Sequence, residues 1–284
     1  MNERPINSDA ATICTQAFGR PGDPAVLLIM GLMASMLWWP EAFCERLARA
    51  GRFVIRYDNR DTGRSTSYDP GHPRYSVDDM ARDAIAVLDG NGIERAHVVG
   101  MSLGGIIAQL VALDYPERVA SLTAISTTPI GDVGRELPGS DPAYLEHSAR
   151  FEDLDWSDDQ ALEEFIVRDV VALSGSRHPF DEAATRTFVE NDLARTANPQ
   201  SLVNHTLAGG GAEPERTARD IAAPLLVVHG SADPLFPLPH GTALAEAVPG
   251  ATLVTVEGGG HELHEGDWDQ ILGAIVSHTD GSPS

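Results

Sequence analysis

The sequence contains no lysine, and all 20 of its basic residues are arginine. Without lysine the chain cannot form a Schiff base to a lysine side chain, so pyridoxal-type catalysis and lysine-dependent aldolases are excluded. The lysine of a phosphate-binding P-loop is missing as well, which excludes a Walker-type nucleotide enzyme. We attribute the absence itself to codon bias and attach no function to it.

Cysteine is almost as scarce, since Cys14 and Cys44 are the two cysteines in 284 residues. Two cysteines form no disulfide framework, no CxxC motif and no zinc ligand set. We expect both to be small buried hydrophobic residues of a cytoplasmic, reducing compartment. Residues 1–19 show no charged-then-apolar leader, and the apolar stretch 26–39 is shorter than the ~18 residues that a membrane-spanning helix needs.

Basic residues are also few: the chain has 42 acidic and 20 basic residues, and its formal net charge is −22. An acidic surface repels phosphate backbones and anionic lipid, so we expect neither nucleic acid nor a membrane as a partner. We interpret the charge as a solubilising surface and expect a small-molecule substrate. The oligomeric state is left open.

Apolar residues alternate between short buried strands and amphipathic helices. Strands are predicted at 26–30, 53–55, 96–99, 119–125, 225–228 and 252–256, and helices at 40–50, 77–88, 103–113, 158–173, 180–194 and 267–276. This alternation predicts an α/β fold with a mostly parallel central sheet, right-handed crossovers and helices on both faces. Residues 129–220 are acidic, helical and poor in strand signals. We therefore predict two parts of one core, at 1–128 and 221–284, separated by an inserted helical lid at 129–220.

The segment Gly100-Met101-Ser102-Leu103-Gly104 lies between a predicted strand and a predicted helix. It fits the G-x-S-x-G nucleophile elbow, in which a strained serine is exposed above the sheet. The two glycines leave room for the sharp turn, and the positive end of the helix lies behind the reacting oxygen. The alternative interpretation is a glycine-rich turn whose serine caps the helix.

A serine nucleophile needs a base, and the chain has ten histidines. His261 stands out because it follows the predicted strand 252–256 and the loop 257–260, whose three glycines let the backbone direct the imidazole to the carboxyl edge of the sheet. His264 is the rival. The sequence from His261 to His264 resembles a zinc motif but is one residue shorter than H-E-x-x-H and lacks an evident third ligand, so we expect no metal.

The imidazole in turn needs a carboxylate to orient it. Asp233 follows the predicted strand 225–228 and lies at the same sheet edge as the serine and the histidine. An aspartate before proline is also a common turn starter, which is the structural alternative for this residue. Asp132, beyond the strand 119–125, is the second candidate for the acid.

A tetrahedral oxyanion requires two hydrogen-bond donors beside the nucleophile. The backbone N–H of Leu103, directly after Ser102, is the first candidate. The second is the N–H of Leu32, in the turn that follows the predicted strand 26–30. We therefore predict an oxyanion hole made of these two backbone groups.

Five parts of the chain resemble motifs of the α/β-hydrolase superfamily. They are the turn Met30-Gly31, the loop 58–65, the elbow 100–104, Asp233 and His261, and the order Ser102, Asp233, His261 is that of the family's triad. Met30 stands where the family usually has histidine, and Asp61 stands where the loop usually has its first glycine.

The loop 55–66, the Met-Gly turn and Trp39-Pro40 are similar to the aclacinomycin methylesterase branch, whose members cleave a methyl ester on an anthracycline polyketide. This resemblance implies a serine carboxylic-ester hydrolase that works through an acyl-enzyme, needs no cofactor and acts on a hydrophobic small-molecule ester such as a polyketide methyl ester. Haloalkane dehalogenases and epoxide hydrolases are disfavoured, because they need a carboxylate in place of the serine.

The turn after the first predicted strand is rich in methionine, leucine and tryptophan. We expect part of this cluster to be core and part to line an apolar pocket, with Met33, Met36, Trp38 and Met101 as candidate substrate contacts. Three alternatives stay open: a C–C bond hydrolase, a cofactor-free perhydrolase or haloperoxidase, and a non-enzymatic ligand-binding protein of the same fold.

Overall fold

The computed structural model describes residues 3–210 and 216–280. Its eight-stranded sheet has the order β1-β2-β4-β3-β5-β6-β7-β8. The strands are β1 Arg4–Ser8, β2 Ala11–Phe18, β3 Ala25–Ile29, β4 Phe53–Tyr57, β5 Ala96–Met101, β6 Val119–Ile125, β7 Leu225–Gly230 and β8 Thr252–Val256. Strands β3 to β8 run parallel, whereas β1 and β2 pair antiparallel with each other and β2 pairs antiparallel with β4.

Helices cover both faces of this sheet. They are α1 Glu41–Arg49, α2 Val77–Gly90, α3 Leu103–Asp114, α4 Pro142–Ser148, α5 Asp159–Leu173, α6 Glu182–Arg195, α7 Asn204–Leu207, α8 Pro239–Ala247 and α9 Trp268–Asp280. Successive residues of a strand face opposite sides. Accordingly Leu27 packs in the cluster with α2, α3 and α8, and Leu28 packs in the cluster with α1 and α9. The predicted α/β fold is thus confirmed.

A long helical segment separates β6 from β7, although these two strands are hydrogen-bonded neighbours with Leu122 opposite Leu225. We call residues 126–224 the insertion; its described residues form α4 to α7 and short 3₁₀ helices, with no strand among them. The insertion contacts loops at the carboxyl edge of the sheet, where Leu173 accepts a hydrogen bond from the N–H of His261 and Ala197 donates one to Gly63.

None of the helices described for this chain combines the length and the apolar character that crossing a membrane requires.

Candidate active site

The turn around Ser102 has the strand–turn–helix geometry of a nucleophile elbow. Ser102 joins β5 to α3 with φ 55° and ψ −122°, a strained conformation for a residue with a side chain. A Cβ on Gly100 would lie 2.0 Å from the carbonyl oxygen of Gly104, and a Cβ on Gly104 would lie 2.1 Å from that of Ile29. Both positions therefore require glycine, and the turn exposes the serine side chain at the carboxyl edge of the sheet.

His261 and Asp233 meet at the same edge. The Nδ1–H of His261 donates to Oδ2 of Asp233 over 2.8 Å, and both side chains are buried. Because the carboxylate takes the proton-bearing nitrogen, the lone pair of His261 lies on Nε2. Within the described parts of the chain this Nε2 has no hydrogen-bond partner, and it is buried in a cavity that Ser102 also lines.

The Asp233 carboxylate is held as an anion. Its Oδ1 accepts the N–H groups of Leu235 and Phe236, each over 2.9 Å. Burial alone would raise the pKa of Asp233, but attraction to His261 and the hydrogen bonds from His261 and Phe236 outweigh it and lower that pKa below its usual value. The competing candidate, Asp132, is exposed and accepts the N–H of Gly134 in its own turn. The structure thus brings Asp233, and not Asp132, to the histidine.

The glycine loop before His261 allows close packing as well as turning. A Cβ on Gly230, at the end of β7, would lie 2.3 Å from the carbonyl oxygen of Gly259. A Cβ on Gly260 would lie 2.3 Å from the carbonyl oxygen of Leu173 in the insertion. Core strand, loop and insertion therefore approach one another here more closely than side chains would permit.

Two backbone donors lie free beside the nucleophile. The N–H groups of Leu32 and Leu103 make no hydrogen bond to another described residue. Leu103 is the first residue of α3. Gly31, just before Leu32, is so close to the elbow that a Cβ there would lie 3.1 Å from the Cβ of Ser102. These two N–H groups can donate hydrogen bonds to an oxyanion that forms on the serine-bound carbon.

Two adjoining cavities share His261 in their walls. We call the one that Ser102 also lines, with a volume of about 130 Å³, the inner chamber, and the other, of about 340 Å³, the outer chamber. Trp38 and Met101 line both chambers, and Met33 lines the inner one. The prediction for Met36 is wrong. It is fully buried, with its backbone N–H bonded to the carboxylate of Asp58, because the short 3₁₀ helix 36–38 turns it towards the core.

Much of the cavity wall comes from the insertion, and none of the predicted substrate contacts lies there. Apolar walls from α5, α6 and the segment between them are Val170, Leu173, Phe180 and Phe188. The carboxylate-bearing Asp169 of α5 also lines the inner chamber. No local motif marks these residues, because each is an ordinary apolar or acidic position of a segment whose docking is set by tertiary contacts.

A histidine-rich cluster borders the outer chamber. Possible ligand atoms of His178, His264 and Asp267 lie within 4.8 Å of one another. However, the two imidazole rings are stacked 4.0 Å apart and 6° from parallel, so their in-plane lone pairs do not converge on one ion. Arg177 also places its Nε 3.3 Å from Asp267. The geometry fits ring stacking and ion pairing better than a metal centre. His264, the alternative to His261 as the catalytic base, takes part in this stacking.

The unusual Asp61 lies in a backbone conformation that suits the glycine it replaces. Its φ is 61°, in the left-handed region, and the side chain is fully buried. One carboxylate oxygen accepts the N–H of Tyr68 over 2.7 Å, and the other accepts the side-chain amide of Asn204 over 3.1 Å. Aspartate is tolerated here because its side chain bonds the loop and α7 of the insertion.

Comparison with known proteins agrees with this geometry. A family model described as alpha/beta hydrolase fold matches residues 24–267. The chain is 39% identical to rhodomycin D methylesterase DauP of Streptomyces sp. (strain C5) and 38% identical to rhodomycin D methylesterase DnrP of Streptomyces peucetius, and each comparison covers 98% of both chains.

Among solved structures, the enol-lactonase from Burkholderia xenovorans LB400 superimposes with a TM-score of 0.77 over 98% of this chain and 100% of the other, at 18% sequence identity. At that identity the similarity concerns the fold alone.

Proposed function

The chain belongs to the α/β-hydrolase family, and we propose that it hydrolyses a carboxylic ester through Ser102, Asp233 and His261. One observation carries this proposal: His261 holds its Asp233 bond over 2.8 Å while its other nitrogen is unpaired among the described residues, in the chamber that Ser102 lines. Orientation of the imidazole and a lone pair near the serine are what general-base activation needs.

The proposed reaction has two stages: transfer of the acyl group to Ser102, and its release by water. Ser102 Oγ attacks the ester carbonyl while its proton passes to Nε2 of His261, and the oxyanion is bound by the N–H groups of Leu32 and Leu103. The tetrahedral species collapses, and the alcohol leaves with the proton from His261. Water then gives a proton to His261 as its oxygen adds to the acyl carbon, and the acid leaves as the proton returns to Ser102. Asp233 stays ionised throughout.

We propose an aromatic or polycyclic methyl ester as the substrate. The relatives named rhodomycin D methylesterase support the methyl ester, and the aromatic walls of the outer chamber (Trp38, Phe180 and Phe188) support a planar acyl group. Two expectations from the sequence stay predictions: the division into core and lid, and a cytoplasmic location. Cys14 and Cys44 are buried free thiols.

The test is methanol release from a panel of aromatic methyl esters, such as methyl 2-naphthoate and larger polycyclic homologues. We expect turnover without added metal or peroxide and a loss of roughly 10⁶ in kcat in Ser102→Ala, because the nucleophile is removed. The control is the thermal midpoint of the variant, which stays that of the wild type. Turnover that persists in Ser102→Ala, depends on peroxide or occurs with a diketone in place of an ester contradicts the proposal.

A further inference from the structure

One buried histidine reaches from the insertion to the turn that follows β3. His205, in α7, is 3% exposed. Its Nδ1 accepts the backbone N–H of Met33 over 2.9 Å, and its Nε2 lies 2.6 Å from the carbonyl oxygen of Arg60. The ring of Tyr75 is nearly perpendicular to the imidazole, with the two ring centroids 6.5 Å apart. Both ring nitrogens therefore bond to backbone groups of the core.

These partners allow a single protonation state of the ring. A backbone N–H can only donate, so Nδ1 must carry the lone pair, and a carbonyl can only accept, so Nε2 must carry the proton. A doubly protonated ring would direct N–H against N–H at Met33. Burial lowers the pKa of His205, which favours the neutral ring.

The turn that His205 contacts is strained. Met33 has φ 56°, in the left-handed region that is unfavourable for a residue with a side chain. The side chain of Leu32 is 41% exposed and does not anchor the turn. The bond to His205 fixes the peptide plane between Leu32 and Met33, and this plane is joined through one Cα to the plane that carries the Leu32 N–H.

We infer that His205 is a positioning residue for the oxyanion hole: it holds the turn Gly31–Met33 so that the Leu32 N–H is directed at the oxygen that forms on the Ser102-bound carbon. This inference rests on the proposed ester hydrolysis. It makes the insertion a part of the catalytic geometry as well as of the cavity wall.

The neighbouring residue provides a matched control. Asn204 is also buried in α7 and also bonds to the core, through the carboxylate of Asp61 over 3.1 Å and the carbonyl of Asp69 over 3.2 Å. Among the described residues it makes no hydrogen bond to the turn Gly31–Met33. A substitution that acts only by loosening α7 should therefore have the same effect at either residue.

The experiment compares His205→Leu, His205→Asn and Asn204→Ala with the wild type, using methyl 2-naphthoate for kcat and KM and a fluorophosphonate for the labelling rate of Ser102. We expect His205→Leu to lower both kcat and the labelling rate about 10²-fold, as loss of an oxyanion donor does, with KM changed by less than about threefold. In His205→Asn the amide oxygen can replace Nδ1 as the acceptor, so about tenfold of the loss should be regained. Asn204→Ala should stay within about threefold of wild-type kcat.

Equal losses in His205→Leu and Asn204→Ala, or a normal kcat in folded His205→Leu, would overturn the inference. If the leucine variant does not fold, His205→Asn against His205→Gln carries the same test. Glutamine can donate at the Arg60 side but leaves Met33 without an acceptor, so the asparagine variant must be the faster one. A wild type that neither reacts with the probe nor hydrolyses esters refutes the proposed function itself, which is a separate outcome.

Discussion

The two halves of the site are positioned by different kinds of interaction. In the core, Ser102, Asp233 and His261 each follow a parallel strand, and backbone hydrogen bonds between β5, β6, β7 and β8 bring the strand ends to one edge. The insertion contributes the outer wall, and buried polar side chains connect it to the loops after β3 and β4.

Helix α6 shows how these side-chain connections are made. Arg195 pairs with Asp58 over 2.7 Å, and Asp192 accepts the indole N–H of Trp38 over 2.9 Å as well as the hydroxyl of Ser35. The difference between the two regions is one of kind. Backbone bonds between neighbouring strands align the strand ends that carry the three candidate catalytic residues. The insertion is joined to the core by loop backbone bonds and by buried side chains such as Asp192, Arg195 and His205.

Substitution of the acid, Asp233, is expected to disable the core half of the site. We expect Asp233→Asn to lower kcat by roughly 10⁴, because the amide stabilises the wrong imidazole tautomer, as in other Ser-His-Asp sites. The exposed Asp132 is the matched position, and Asp132→Asn should leave kcat within about threefold. Steady-state kinetics on one methyl ester measures both variants. A larger loss in Asp132→Asn would move the acid to the loop after β6.

Removal of the buried ion pair between Arg195 and Asp58 is expected to destabilise the contact between the insertion and the core. Arg195→Ala leaves the fully buried Asp58 carboxylate without its cation, which we expect to cost about 3 kcal/mol or more in the free energy of unfolding. Arg186→Ala removes an arginine that pairs with Glu163 and Glu164 in solvent-accessible positions, and its effect should be far smaller.

Urea unfolding followed by circular dichroism compares these two arginine variants at constant pH and salt. Equal urea midpoints for both would show that the buried pair does not hold the insertion to the core.

A smaller effect is expected on the stability of the fold at acidic pH, through a histidine in the central sheet. His97 in β5 is buried with its Nδ1 2.8 Å from the hydroxyl of Ser121, and burial, with the charge of Arg52 as a further cause, lowers its pKa to about 4. Between pH 6.5 and 4 the unfolded chain therefore binds a proton that the folded chain does not, so stability falls as the pH falls.

We expect the free energy of unfolding of His97→Gln to decrease less steeply than that of the wild type over this pH range, by a slope equal to about one proton. Urea titrations at several pH values provide the measurement. Parallel curves for the two proteins would contradict the assignment of a neutral buried His97.

The core was predictable because its signals are local. The strand 119–125 has the predicted bounds, since a strand buried on both faces is a continuous apolar run. The elbow was predictable because Gly100 and Gly104 are required by contacts within the same turn and with the adjacent strand. His261 and Asp233 follow strands that the apolar pattern already identifies.

Other elements depend on partners far away in sequence. The hairpin β1–β2 was missed, because its partly exposed residues gain a strand conformation by pairing with β4 around residue 55. Helix α8, which contains Pro239 and Gly241, was missed as well. Nothing near His205 distinguishes it from the other histidines, because both of its partners are backbone groups more than 140 positions away.

Fluorophosphonate labelling followed by peptide mass spectrometry tests the proposed serine-hydrolase mechanism without intermediate assumptions. The probe reports an activated serine and a working oxyanion hole without knowledge of the substrate. We predict one adduct, on Ser102, that is lost in His261→Ala and retained in His264→Ala. A folded wild-type protein without an adduct on Ser102, or an adduct that persists in His261→Ala, would contradict the serine-hydrolase mechanism.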